Sequence, residues 1–138
     1  MVAMHVDLKV FSVILSLGVT ILTGSAAAQQ TESISLKSGE TVELGNLFWV
    51  VNCRSILKGP PVAEVLEGLP EISVTVREQK VIPRKLNCAK EVSGGMLILI
   101  AAKDVKARIQ GKLTIRIKYP TVDGERQHSR EINVTLFP

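Results

Sequence analysis

Three side chains downstream of residue 30 are best equipped for covalent or acid–base chemistry: Cys53 in FWVVNCRS, Cys88 in KLNCAK and His128 in GERQHSR. Two thiols allow three uses. A structural zinc site wants four ligands, and two cysteines with one histidine supply three. A redox pair usually sits as C-x-x-C, and these cysteines lie far apart. The third use is a disulfide, Cys53–Cys88. Closing a loop of about 35 residues disfavours the unfolded chain by roughly 3–4 kcal/mol on the chain-entropy account.

Catalysis would have to pass through His128. A catalytic base needs an orienting partner and a nucleophile within hydrogen-bond reach. Ser129 is adjacent, but neighbours along a strand point to opposite faces. The segment around His128 reads as a solvated loop or strand edge. Asp123, Glu125 and His128 have the chemistry of metal ligands on a turn, although turns are rich in such residues anyway. Glu64 and Glu67, three apart, read as solvated charges rather than an acid–base pair. SGGM (93–96) reads as a turn before a strand and not as a phosphate-cradling loop. The N-x-T match at Asn133 falls inside an expected strand. The expectation is no catalytic residue, no metal and no cofactor. A small hydrolase or metal-dependent enzyme using His128 is the alternative.

A disulfide needs an oxidising compartment, and the amino-terminal sequence provides the route. Lys9 gives a weakly basic start, VFSVILSLGVTIL (10–22) is apolar, and TGSAAAQQ follows. Small residues at Ala26 and Ala28 fit a signal-peptidase site with cleavage after Ala28. The apolar run is shorter than the roughly 20 residues of a membrane span; an uncleaved anchor is the competing reading. The expected organisation is a signal peptide, 1–28, and one domain, 29–138, with no membrane span after cleavage. Processing removes Lys9 and Asp7 together, so the net charge stays +4. The domain is expected outside the cytoplasm, either periplasmic or extracellular. It is small enough for a covalent staple to matter.

The elements that must position these residues read as strands. Period-two alternation puts Ile34 with Leu36, and Val42 with Leu44, on either side of a KSGE turn. In FWVVNC it groups Trp49, Val51 and Cys53 on one face, with Trp49 assigned to the core. EISVTVR, LTIRIKY and EINVTLF alternate in the same way. MLILIA (96–101) is continuously apolar, as a strand covered on both faces would be. PTVDGERQHS joins the last two strands, with Asp123-Gly124 at a hairpin tip. Residues 60–68, PPVAEVLEG, fit one helical turn or an extended segment equally. Residues 101–110 fit a short turn between strands. About seven strands, each with one buried face, predict an all-β, two-sheet antiparallel sandwich.

This layout resembles immunoglobulin-like and cadherin-like sandwich domains. The resemblance rests on Trp49 near Cys53 and on the G-x-L-T-I-R-I-x-Y…D-G…I-N-V-T-L ending (111–136). Antibody-type domains place a tyrosine two residues before the second cysteine, where this chain has Leu86. Their tryptophan follows the first cysteine, where here it precedes. The chain also resembles small exported proteobacterial proteins with one disulfide. Neither resemblance carries over catalytic residues.

The remaining signal is basic. Arg116 and Lys118 share the outward face of one strand, and Lys103, Lys106, Arg108 and Lys112 flank its approach. Folded together they would form a face for an anionic partner, whether a protein or an envelope polymer. Basic residues on edge strands also discourage aggregation, and that accounts for the same six. A single-strand nucleic-acid binder would want aromatics among the basics, and this chain has few. The sequence thus predicts an exported, non-enzymatic binding or interaction protein of the cell envelope. A structural subunit assembling through an edge strand is a further alternative. Ligand and oligomeric state stay open.

Overall fold

The structure, a computed structural model, describes residues 32–138. The expected leader and its cleavage site lie outside these residues. The strands in chain order are β1 (Glu32–Lys37), β2 (Thr41–Leu47), β3 (Val50–Val51), β4 (Arg54–Ser55), β5 (Val62–Glu67), β6 (Ile72–Val81), β7 (Val92–Ala101), β8 (Ile109–Thr121) and β9 (Gly124–Phe137). A 3-10 turn, Arg84–Leu86, lies between β6 and β7. One sheet has the order β1-β9-β8-β5 and the other β2-β7-β6, with β3 and β4 forming a separate ribbon. This is the expected all-β sandwich, with sheets of four and three strands. One ladder departs from the antiparallel rule, because β1 runs parallel to β9 from Glu32↔Ile132 to Lys37↔Phe137.

Alternation builds the core. Leu113, Ile115, Ile117 and Tyr119 of β8 point inward, as do Ile132, Val134 and Leu136 of β9. Leu97, Leu99 and Ala101 of β7 join the same cluster. Each leucine or isoleucine withdrawn from water contributes about 1.5–3 kcal/mol. On the other face of β7, Ile98 is buried but Ile100 is 38% exposed. The continuous apolar run is therefore covered on both faces only in part.

The β8–β9 hairpin is tighter and longer than the sequence implies. Thr121 pairs with Gly124 across a two-residue tip, Val122-Asp123. Gly124 takes φ 109°, a region open to glycine. Thr121 is fully buried, and its hydroxyl donates to the Gly124 carbonyl at 2.5 Å and accepts from the Asp123 N–H at 3.2 Å. Residues 125–131 are thus strand, not loop. Residues 60–68, open between two readings, are extended as β5.

Two local readings are corrected. SGGM lies within β7, where Gly95 pairs with Leu47 on one side and Glu78 on the other. A Cβ at Gly94 would collide with the Leu47 carbonyl oxygen. Those glycines answer a close backbone approach rather than a turn. Nor do Trp49, Val51 and Cys53 share a strand face. Val51 is 52% exposed, and Cys53 sits in a two-residue turn, Asn52-Cys53, joining β3 to β4. Both turn residues have positive φ, 51° and 60°, as a type I′ hairpin requires. The usual Asn-Gly pair is here Asn-Cys.

Cys53 is bonded to Cys88, with Cα atoms 5.4 Å apart. Cys88 is buried just after the 3-10 turn. The bond therefore joins two connections at the end of the sandwich that carries the β8–β9 tip. Replacing both cysteines, as Cys53→Ser with Cys88→Ala, is expected to lower unfolding free energy by roughly 3–4 kcal/mol in urea melts. Cys53→Gly with Cys88→Ala should lose roughly 0.5–1 kcal/mol less, because glycine suits the left-handed turn. Equal stability of the two variants would show that φ at residue 53 relaxes once the bond is gone.

Candidate functional site

A cleft of about 850 Å³ opens between the sheets, bounded by β2, the β6–β7 connection, β8 and β9. Its cause is a change of residue type along β9. Ile132, Val134 and Leu136 bind the sheets together, but the next inward positions are Arg130, His128 and Arg126. They sit opposite Ile115, Ile117 and Tyr119 of β8. Charged side chains cannot close the gap as apolar ones do without losing hydration, so the sheets part there.

The β2 wall is shaped by a bulge. Its register passes from Glu43↔Ile98 to Gly45↔Leu97, which leaves Leu44 unpaired. Gly45 takes φ 148° there. Such a bulge bends a strand and re-aims its side chains; Leu44, Leu47 and Phe48 line the cleft. From the β6–β7 connection of the same sheet, Arg84 and Lys85 of the 3-10 turn also line the cleft. The disulfide and the left-handed Asn87, whose N–H donates to the Arg84 carbonyl at 3.0 Å, hold that turn.

The electrostatics are one-sided. The lining carries Lys80, Arg84, Lys85, Arg130 and His128 against a single acid, Glu91. Lys80 Nζ donates to Ser93 Oγ at 3.0 Å. Arg130 is held by Glu32 at 2.5 Å. No described residue forms an ion pair with Arg84 or Lys85. Tyr119 forms part of the floor. It packs on Trp49 with ring centroids 5.2 Å apart, which puts the tryptophan against the core, as expected.

The six basic residues read from the sequence fall into two groups. Lys112, Arg116 and Lys118 line up on the outer face of β8. Lys118 lies 3.2 Å and Arg116 3.8 Å from Glu64, and Lys112 lies 3.6 Å from Glu131 and 3.9 Å from Glu67. Glu64 and Glu67 are therefore partners of this stripe rather than lone solvated charges. Exposed pairs of this kind contribute about 0.2–1 kcal/mol each, but they balance three cations with three acids. Lys103, Lys106 and Arg108 belong to the β7–β8 connection at the opposite end of the sandwich. Arg108 stacks over Phe137 there, 5.5 Å from the ring centroid.

His128 is in strand β9, exposed on the cleft side, and its ring joins none of the described hydrogen bonds. Ser129, cross-strand from Arg116, points to the other face. Among the described residues, no three His, Cys, Asp or Glu side chains gather as a metal ion would require. No described helix is long and apolar enough to cross a membrane.

No protein-family profile matches the chain, and no curated protein or solved structure matches it significantly.

Burial raises the Tyr119 pKa above the ordinary tyrosine value, and the positive charge of Arg130 partly opposes this. A folded pKa above the unfolded one favours the folded state while the phenol stays protonated. That contribution is whole at neutral pH and is lost as pH climbs from about 10 through the folded value. Tyr119 is the only tyrosine in the chain, so absorbance of the phenolate reports it alone. Its titration midpoint should lie above that of free tyrosine, and Arg130→Ala should move it higher still.

Proposed function

We propose that this chain is an exported, non-enzymatic binding domain of the cell envelope, immunoglobulin-like in layout. It holds the anionic part of a protein or envelope polymer in the cleft between its sheets. The strand order supports the layout. If β2 takes the place of the second strand of a constant-type immunoglobulin domain, β2-β7-β6 and β5-β8-β9 follow its B-E-D and C-F-G sheets. The Cys53–Cys88 bond supports export.

One observation carries the binding site: basic side chains line the cleft from both sheets, and Arg84 and Lys85 among them have no ion-pair partner among the described residues. Arg130 and His128 line one wall, and Arg84 and Lys85 stand across from them on the other. Protection of a strand edge accounts for charges on β9. It gives no reason for the exposed cations Arg84 and Lys85 on the connection from the other sheet. An anion between the walls gains from the basic side chains of both sides. The outer stripe on β8 makes a weaker site, because each of its three cations already has a glutamate partner, whereas in the cleft Arg130 has one and Arg84 and Lys85 have none among the described residues.

Labelled polyglutamate is a suitable probe. Fluorescence anisotropy should show binding that weakens with salt. Arg84→Glu with Lys85→Glu should weaken it by at least about tenfold, the equivalent of 1.4 kcal/mol. Arg116→Glu with Lys118→Glu should leave it nearly unchanged. The reverse ranking would move the site to the outer face of β8, and absence of binding by the parent protein would remove the reading.

A further inference from the structure

The wall formed by β9 is also, among the described residues, a strand edge with no second neighbour. Among the described residues, β1 pairs with β9 only from Ile132 onward, while β8 pairs with β9 over its whole length. From Glu125 to Glu131, β9 therefore has a ladder on one side only among the described residues. Every second backbone N–H and C=O along that stretch points away from β8. This edge and the cationic cleft adjoin each other, since Arg126, His128 and Arg130 belong to both the edge strand and its inward face.

We propose that the partner contributes an extended peptide segment with acidic residues at alternate positions. It adds to the sheet along Glu125–Glu131 in line with β1. The proposal rests on the reading of the cleft as the binding site and specifies what fills it. Strand addition satisfies the free backbone groups of the edge. Period-two geometry then sends alternate side chains of the guest into the cleft, where Arg84 and Lys85 face Arg130 and His128. Acids at those positions meet basic side chains from both sheets. The intervening side chains lie on the outer surface beside Gln127 and Ser129, which accept small polar neighbours. A shapeless polyanion would use the charges and leave the edge unpaired, so the backbone is what separates a peptide strand from an anionic polymer.

The test uses the full chain and three synthetic peptides of alternating Glu and Thr, about as long as the free edge. One is unmodified, one is N-methylated at every Glu, and one is N-methylated at every Thr. All three carry the same side chains and charge. Only every second N–H of an added strand faces its neighbour, so one methylated peptide should lose about tenfold or more in affinity while the other stays close to the parent. Hydrogen exchange should slow at alternate amides between Glu125 and Glu131 when the unmodified peptide binds.

Equal binding of all three peptides would overturn strand addition and leave the anion cleft standing. So would amides of Glu125–Glu131 that are already protected in the free protein, because the edge would then be covered by the chain itself or by a second copy. Failure of both the peptides and polyglutamate to bind would instead remove the cleft reading beneath it.

Discussion

The two sheets stay joined for as long as apolar side chains alternate along β8 and β9. Leu113, Ile115 and Ile117 on one strand, and Ile132, Val134 and Leu136 on the next, face Leu97 and Leu99 across the sandwich. That burial is the main favourable term available to a domain of this size. On β8 the apolar row runs through to Tyr119, whereas on β9 it ends at Ile132. The mismatch in length between the two rows decides where the sandwich is closed and where it opens. The same hairpin thus supplies the core at one end and a polar wall at the other.

An open end would be loose without a second restraint. The ribbon β3–β4 and the 3-10 turn have few buried apolar side chains of their own. The Cys53–Cys88 bond joins them, and Leu57 bridges to Thr121 at the β8–β9 tip. The Lys58 N–H donates to the Pro120 carbonyl at 2.7 Å, and the Val122 N–H to the Ile56 carbonyl at 3.0 Å. These contacts tie three separate connections into one rim. The placement of Arg84 and Lys85 follows from that rim rather than from the core, so covalent chemistry at a cysteine fixes the position of charges several residues away.

Much of this fold was legible in the residues. LTIRIKY and EINVTLF alternate cleanly because one face of each strand is buried, and period two records that directly. The disulfide followed from the cysteine number and an expected, oxidising compartment. Other features depend on contacts that alternation does not register. Gly94 and Gly95 resemble a turn until the Leu47 backbone is seen against them. Cys53 looked like a strand residue because the hairpin signal Asn-Gly had become Asn-Cys. The stripe at Lys112, Arg116 and Lys118 was visible, but its neutralisation required the β5 register, which sets Glu64 opposite Arg116. The cleft was the hardest to find. Its basic side chains come from two separate segments, 80–85 and 128–130, and the local signal was only that REI (130–132) passes from charged to apolar at two inward positions.

The parallel pairing of the first and last strands also governs how the molecule can be tethered. Because β1 and β9 run the same way, Glu32 lies beside the open end, while Phe137 leaves at the far end near the β1–β2 turn, where the Ser38 N–H meets its carbonyl at 2.9 Å. A support grafted after Pro138 would display the mouth of the cleft outward, like a cup held by its base. A graft placed just ahead of Glu32 would crowd the rim. Copies strung head to tail would each set the base of one beside the mouth of the next, so spacing between repeats would itself control access.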